Sequence, residues 1–532
     1  MKIINLTLLF FLGSLSLYAQ DDIKVSSGVK VTKSEPYPVT DAYSKEYYAL
    51  GNGEVFSIKQ KRKGGLTLIL QKFGGENLNE IQRGEAVLSI EKGMAIEGTF
   101  KMGETFYLMY SKLTGSKEVI LYAREISTSS LSFSGEEKEL LTMTEPENQV
   151  PFGAIVLSKQ TFPRFSFDFS SDQSVMVVRY RKKPINKDDS NNHDIIGMGA
   201  FDAQMTKLWG NEFEMPYTES LMDNLDFTVD SKGNGYFLIK KYKQELTRKN
   251  REISDNESMA ILVTNQDGRL AEVEFNLGEK MLDDVYLKEN KKGDIICAGY
   301  YRKPKSYGVD GAFVSILDSK GNLSAPKFYE FSLDFIKKYK RISDKAKKKM
   351  ENADANDNLA MTNLRMRRIQ TLEDGGIVLA GEIFYITTHT DSKGNTYTTY
   401  HYDDVVLVKI NADGELGWMQ KFPKRSVSES FRLMASEKYS YVLFLDPVRN
   451  ATMTDDGEVN KDIKGDCVTA HCVDNKTGEV KYLHLFDWRK IDGTVVYQYA
   501  LNRVIPLTDN SFAIELYIKQ KSDMMFKVEF EE

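Results

Sequence analysis

A strand-and-turn unit recurs about every 60 residues along this 532-residue chain, and a repeat of that length folds as an array or ring of small units. The unit reads LDFTVDSKGNGYFLIKKY from Leu225, DVYLKENKKGDIICAGYY from Asp284 and MRRIQTLEDGGIVLAGEIFY from Met366. Weaker copies start near Phe165, Phe431 and Asn502. Aligned on the first turn, the copies place Ser170, Asp230, Asn290, Leu372, Ser436 and Thr508 together. Three residues earlier each carries an apolar residue: Phe167, Phe227, Leu287, Ile369, Leu433 or Ile505. The residues on either side are more polar, which is the alternation of a strand with one buried face. After the turn comes a more continuously apolar strand, such as YFLIKKY from Tyr236 or IICAGYY from Ile295. Such a strand belongs inside a stacked sheet.

Each unit then offers a second hairpin, for example ILVTNQDGRLAEVEF from Ile261 and VVLVKINADGELGWMQKF from Val405. The turns NQDG and NADG supply the Asn, Asp and Gly residues that tight hairpins require. Two hairpins make four antiparallel strands, and four-stranded units repeated radially describe a β-propeller. The expected fold class is therefore all-β, with eight blades favoured and seven the alternative. The last unit, from Asn502, shows only three strands, and VKVTKSEPYPV near Val31 can add the fourth, joining the two chain ends.

Two stretches interrupt the pattern. Phe331–Met350 reads as a helix with Phe335, Tyr339, Ile342, Ala346 and Met350 on one face and lysines on the other, giving a helical insert over 331–352. The stretch IFYITTHTDSKGNTYTTYHYDDVVLV reads as a long hairpin arm over 385–403, turning at Asp391–Asn395. The segment GEIFYITTHTDSKGNTYTTYHYDDVVLVKINADGELGWMQKFPKR carries Asp413, Gly414, Trp418, Pro423 and Lys424 after the arm. It resembles an uncharacterised family of secreted β-propeller proteins from Bacteroidota-type Gram-negative bacteria. The resemblance is strongest over residues 280–430. It implies a propeller fold and export, and it supplies no active-site residues.

Residues 1–20 read as a secretory signal: Lys2, an apolar run over Ile3–Leu17, and a small residue at Ala19. A retained membrane anchor is the alternative. The mature chain would then be a single propeller over 21–532, exported to the periplasm or to an outer-membrane-associated or extracellular position. The three cysteines, Cys297, Cys467 and Cys472, are too few for a disulfide framework. A net charge of −6 gives no basic field for nucleic acid.

No catalytic motif emerges. DSKGNG at Asp230 and DSKGNT at Asp391 place a lysine where a calcium loop needs an oxygen ligand, so they read as hairpin turns. His389 and His401 share the arm, but folding it about its turn sets His389 near Thr398 instead. His471 with Cys467 and Cys472 reads as packing, because strand alternation scatters the three side chains. No metal, cofactor or nucleic-acid partner is expected. The innermost strands carry Asp168 and Asp226 on one side, and Lys288, Arg368, Arg432 and Arg503 on the other. These charges suit a ligand in the channel, or a solvated pore wall. Tyr385, Tyr397, Tyr400 and Tyr402 of the arm suit stacking on a sugar or a protein, or plain strand composition. The reading is a non-catalytic binding or scaffold protein of the cell envelope, contacting a protein or glycan. The alternative is an enzyme at the channel mouth acting on polysaccharide or peptide.

Overall fold

The computed structural model describes residues 26–530 apart from 63–64, 116, 147–163, 184–190, 246–255, 341–343, 356–358, 426–430, 448–452, 457, 459–465, 488–489, 492, 499 and 519–520. The segment read as a secretory signal lies outside the described residues. Among the described residues, six separate four-stranded antiparallel sheets follow one another along the chain. Sheet 1 spans 44–88, sheet 2 94–144, sheet 3 166–218, sheet 4 222–275, sheet 5 281–330 and sheet 6 364–422. Within each, strands pair in chain order, as the paired-hairpin reading requires.

The remaining strands join one eleven-stranded sheet. Four of them cover 431–487, and the last three are Val504–Thr508, Ser511–Ile518 and Ser522–Phe530. Val29–Lys33 pairs antiparallel with the final strand, with Val31 opposite Val528, so the two chain ends share one ladder. The link between the two groups was not anticipated from sequence. Val504–Thr508 covers the adjoining strand only as far as Ile514. Residues beyond it would present a bare edge, and Thr494–Gln498 fills that edge through Val496 opposite Ile518 and Gln498 opposite Tyr517.

The core lies between sheets. Phe56, Leu68 and Leu70 of sheet 1 pack with Phe106, Leu108 and Tyr110 of sheet 2. Phe237 and Ile239 of sheet 4 pack with Trp209 and Phe213 of sheet 3. Tyr37, Val55 and Phe73 meet Ile505, Ala513 and Met525, setting the last strands against sheet 1. The first strands of sheets 3, 4, 5 and 6 lie against one another in order, which is a propeller-like arrangement. Several of these first strands bulge near their start, for example between Asp283 and Val285. Gly299 makes that bulge feasible: a Cβ there would sit 2.4 Å from the carbonyl oxygen of Asp284.

The seam between the chain ends is charged and dry. Glu515, on a strand of the last unit, and Lys59 of sheet 1 are fully buried and 2.5 Å apart. Tyr37 donates to Glu515 at 2.7 Å, and Tyr47 donates to its other oxygen. Lys45 reaches Glu515 at 3.4 Å and Asp523 at 3.2 Å. Burial pushes the Glu515 carboxyl up, but Lys59 and Lys45 outweigh it and hold it below the usual range.

The helical insert departs from expectation. It is two helices, Leu333–Lys337 and Asp344–Ala355. Lys338 leaves the helical region at ψ 133° and Tyr339 follows at φ +63°, which ends the first. Phe331 and Ile336, both 1% exposed, are docked deepest on the sheets, and Phe335 and Met350 of the expected face pack against the same core while partly buried. Ile342 lies outside the described residues.

Candidate functional site

The acidic residues of the inner strands bind neighbouring sheets together. Asp168 of sheet 3 accepts from Thr228 of sheet 4 at 2.6 Å and pairs with Lys288 of sheet 5 at 3.1 Å. Asp226 of sheet 4 accepts the backbone N–H of Leu287 in sheet 5 at 2.8 Å. Asp284 of sheet 5 repeats the device, accepting from the N–H of Met366 in sheet 6 at 3.1 Å. Burial raises Asp226 to about 6, and Asp168 nearby adds to the rise. At the turn end, the fully buried Glu289 accepts from the N–H groups of Ser171 at 2.7 Å and Ser231 at 2.8 Å. Sheets 3, 4 and 5 are therefore stitched at several levels by carboxylates. Glu289 and Asp284 escaped notice in the sequence, because their partners lie 58 to 118 residues away.

The basic residues divide into two groups. Lys288 is held by Asp168 and by the carbonyl of Phe169 at 3.2 Å. Arg503 lies 4.0 Å from Glu515. Arg368 and Arg432 have no carboxylate partner among the described residues, and the Arg432 Nε is buried without a hydrogen bond. Burial first, and then Arg368 beside it, push Arg432 below the usual guanidinium range. Among the described residues these strands thus carry paired acids and two adjacent cations without a carboxylate partner.

The arm is a hairpin of Ile377–Thr390 and Thr396–Ile410 that outruns its sheet, since the outer strand pairs only with 405–410. Its turn is closed by Asp391, which accepts from the N–H groups of Lys393 at 2.8 Å and Asn395 at 2.9 Å. The carboxylate of Asp230 is used in the same way by Lys232 and Asn234. His389 lies opposite Tyr397, one residue from the expected Thr398, and His401 lies opposite Tyr385. The stack of Tyr385 on His401, 4.5 Å apart at 7°, takes one face of the arm. Phe384, Ile386, Tyr400 and Tyr402 share the other face by strand alternation. The four tyrosines singled out in the sequence are therefore split, with Tyr385 and Tyr397 on one side and Tyr400 and Tyr402 on the other. Ile386 is 50% exposed, Tyr397 57% and Tyr400 48%.

A bulge between Glu382 and Phe384 re-aims the arm where it leaves the sheet. Two buried ion pairs hold that point. Lys424 pairs with Glu382 at 2.7 Å, both side chains fully buried, and Lys421 pairs with Asp404 at 3.1 Å. Lys421 also donates to the carbonyls of Ile336 at 3.2 Å and Lys338 at 2.6 Å, tying the first helix to the arm base. Burial lowers Lys421 to about 8, with Asp404 opposing the shift.

The remaining candidates are packing residues. His471 is ringed by Phe422, Phe444 and Tyr482, and burial pushes it down to about 3. Cys297, Cys467 and Cys472 are buried free thiols. Among the described residues no helix is long and apolar enough to cross a membrane.

No family model matches the chain, and no curated protein matches it. Among solved structures, polysaccharide lyase Uly1 aligns over 93% of this chain and 92% of its own, at 12% identity and a TM-score of 0.39. The WD40 domain of SCAP from fission yeast aligns over 95% and 99%, at 8% identity and a TM-score of 0.36. A prolyl endopeptidase aligns over 90% of this chain and 55% of its own, at 10% identity and a TM-score of 0.38. Likeness at this level carries no argument about activity.

Proposed function

We propose that this chain is an exported, non-catalytic binding protein of the bacterial cell envelope, folded as one eight-bladed propeller over 21–532. Sheets 1 to 6 are six blades, and the strands over 431–487 are the seventh. Val504–Phe530 with Val29–Lys33 forms the eighth, so the pairing of the chain ends closes the ring. The inter-sheet packing from sheet 1 round to the Tyr37–Ile505 cluster supports that count.

The observation that carries the binding reading is the arm. It stands beyond its sheet with Ile386 and Tyr400 in solvent, yet its base is fixed by two buried ion pairs. A stiff hairpin with an apolar face is suited to presenting a contact surface to an envelope protein or glycan. The state of the inner-strand acids speaks against hydrolysis, since Asp168 and Asp226 are engaged in bonds between sheets.

The test replaces 386–400 with a two-residue Asn-Gly turn and compares both proteins as baits for detergent-solubilised envelope. Loss of a specific partner with an unchanged melting temperature supports the reading. Protease or periodate treatment of the extract tells a protein partner from a glycan. Turnover of polysaccharide or peptide that Asp168→Asn and Asp226→Asn abolish would overturn the proposal in favour of an enzyme.

A further inference from the structure

Sheets 5 and 6 leave a cleft of about 470 Å³ between them, beside the base of the arm. The volume lies within the range of small-ligand sites, about 300–1,000 Å³. Arg302, Lys305, Asp283 and Tyr307 line one side, and Asn363 and Arg365 the other. The Phe384 N–H donates to the carbonyl of Asn363 at 2.9 Å, which places the arm at the cleft's rim.

The walls of the cleft are held by the chain's own bonds. Val309 and Met361 exchange backbone hydrogen bonds of 3.0 and 2.7 Å across it. Gly308 allows that approach, since a Cβ there would lie 2.8 Å from the Met361 carbonyl oxygen. The Lys303 N–H donates to the buried Asp310 at 2.7 Å, which ties the loop carrying Lys305 and Tyr307 to the sheet.

Its charges do not balance. Asp283 and Arg302 form a loose pair at 3.6 Å, and the Arg302 Nε is buried without a hydrogen bond. Lys305 and Arg365 are exposed and make no ion pair among the described residues. Among the lining residues, three cations therefore face one carboxylate. Tyr307 is 95% exposed, with a bare aromatic face at the rim. Guanidinium groups bind carboxylate and sulfate in paired hydrogen bonds, and an exposed tyrosine ring stacks on the C–H face of a sugar.

We propose that this cleft binds an anionic saccharide, with Arg365, Lys305 and Arg302 holding its carboxylate or sulfate and Tyr307 stacking on an adjoining ring. The site is separate from the arm's face, so it stands or falls independently of the envelope partner. Calorimetric titration of the full chain uses tetragalacturonate, a sulfated tetrasaccharide lacking carboxylates, maltotetraose and inorganic sulfate. The expected result is binding of one or both anionic tetrasaccharides and weaker binding of maltotetraose. Arg365→Gln is expected to weaken that binding by about tenfold. Tyr307→Ala is expected to weaken the tetrasaccharide but not the sulfate ion. Both residues are exposed, so melting temperatures should match the parent. Preference for maltotetraose, no binding of either anionic tetrasaccharide, or binding indifferent to both substitutions would overturn the proposal. Binding of sulfate as tight as that of the tetrasaccharides would remove the saccharide from it.

Discussion

Replacing Glu515 by Leu tests what holds the chain ends together. In the folded protein Glu515 faces Lys59 at 2.5 Å, Lys45 at 3.4 Å and the phenol of Tyr37 at 2.7 Å, with no solvent on either side of the closest pair. Removing it leaves the fully buried Lys59 with one carboxylate among the described residues, Asp523 at 3.7 Å, and the ring faces of Tyr37 and Tyr47. Breaking a buried pair from one side costs about 3–5 kcal/mol, because the surviving charge keeps its desolvation penalty. Unfolding entropy of about 2.1 cal/mol/K per residue gives about 1 kcal/mol/K for a chain of this size, so the melting temperature should fall by about 3–5 °C. Lys59→Met should cost less, since Glu515 keeps Lys45 and two phenols. The double variant should lose less than the sum of the two, by about 1 kcal/mol or more, as direct contacts demand. Scanning calorimetry of the parent, both single variants and the double variant supplies the cycle. Lys101→Met, which removes the partner of the exposed Glu104, is the control and should stay within about 1 °C. A Glu515→Leu shift no larger than the control, or strict additivity in the double variant, would refute the account of the seam.

Three further outcomes follow from the same geometry. Asp226 is raised to about 6, above its unfolded value, so its charge opposes folding above that pH and not below about 4. Asp226→Asn should therefore gain stability relative to the parent as pH rises from about 4 to 7, by up to about 1–3 kcal/mol; a flat difference across that range would contradict it. His471 is depressed to about 3, so the unfolded chain takes up its proton first and stability falls as pH drops below about 6.5. His471→Phe should flatten that acid limb in urea titrations, and an unchanged slope would argue against it. Gly299→Ala drives a Cβ to 2.4 Å from the Asp284 carbonyl, so it should destabilise by about 1–3 kcal/mol in chemical denaturation, whereas a neutral result would mean the bulge relaxes freely.

Much of the architecture was legible in the sequence because it is local. Alternation around Phe167, Phe227 and Leu287 marks strands with a buried face, and all three are buried. The turns at Asp230 and Asp391 close through their own side chains, so four or five residues suffice to recognise them. The strand near Val31 was recognisable because the last unit lacked one. The insert was legible only in part: Phe335 and Met350 of the expected face pack on the core, but Tyr339 leaves the helix and Lys421 from a distant strand holds its end.

The sequence alone determined a repeating series of four-stranded antiparallel sheets, since periodicity and turn chemistry act over a few residues. Tertiary structure decided what each charge does. Asp168 and Lys288 share one aligned position in repeats two units apart and were expected on opposite sides of the inner strands, but packing makes them an ion pair 120 residues apart. Glu515 and Lys59, Glu382 and Lys424, and the cleft of Arg302 and Arg365 likewise arise where one sheet is laid on another. Burial strips water from these groups and makes their partners decisive, and burial is a property of the assembled fold.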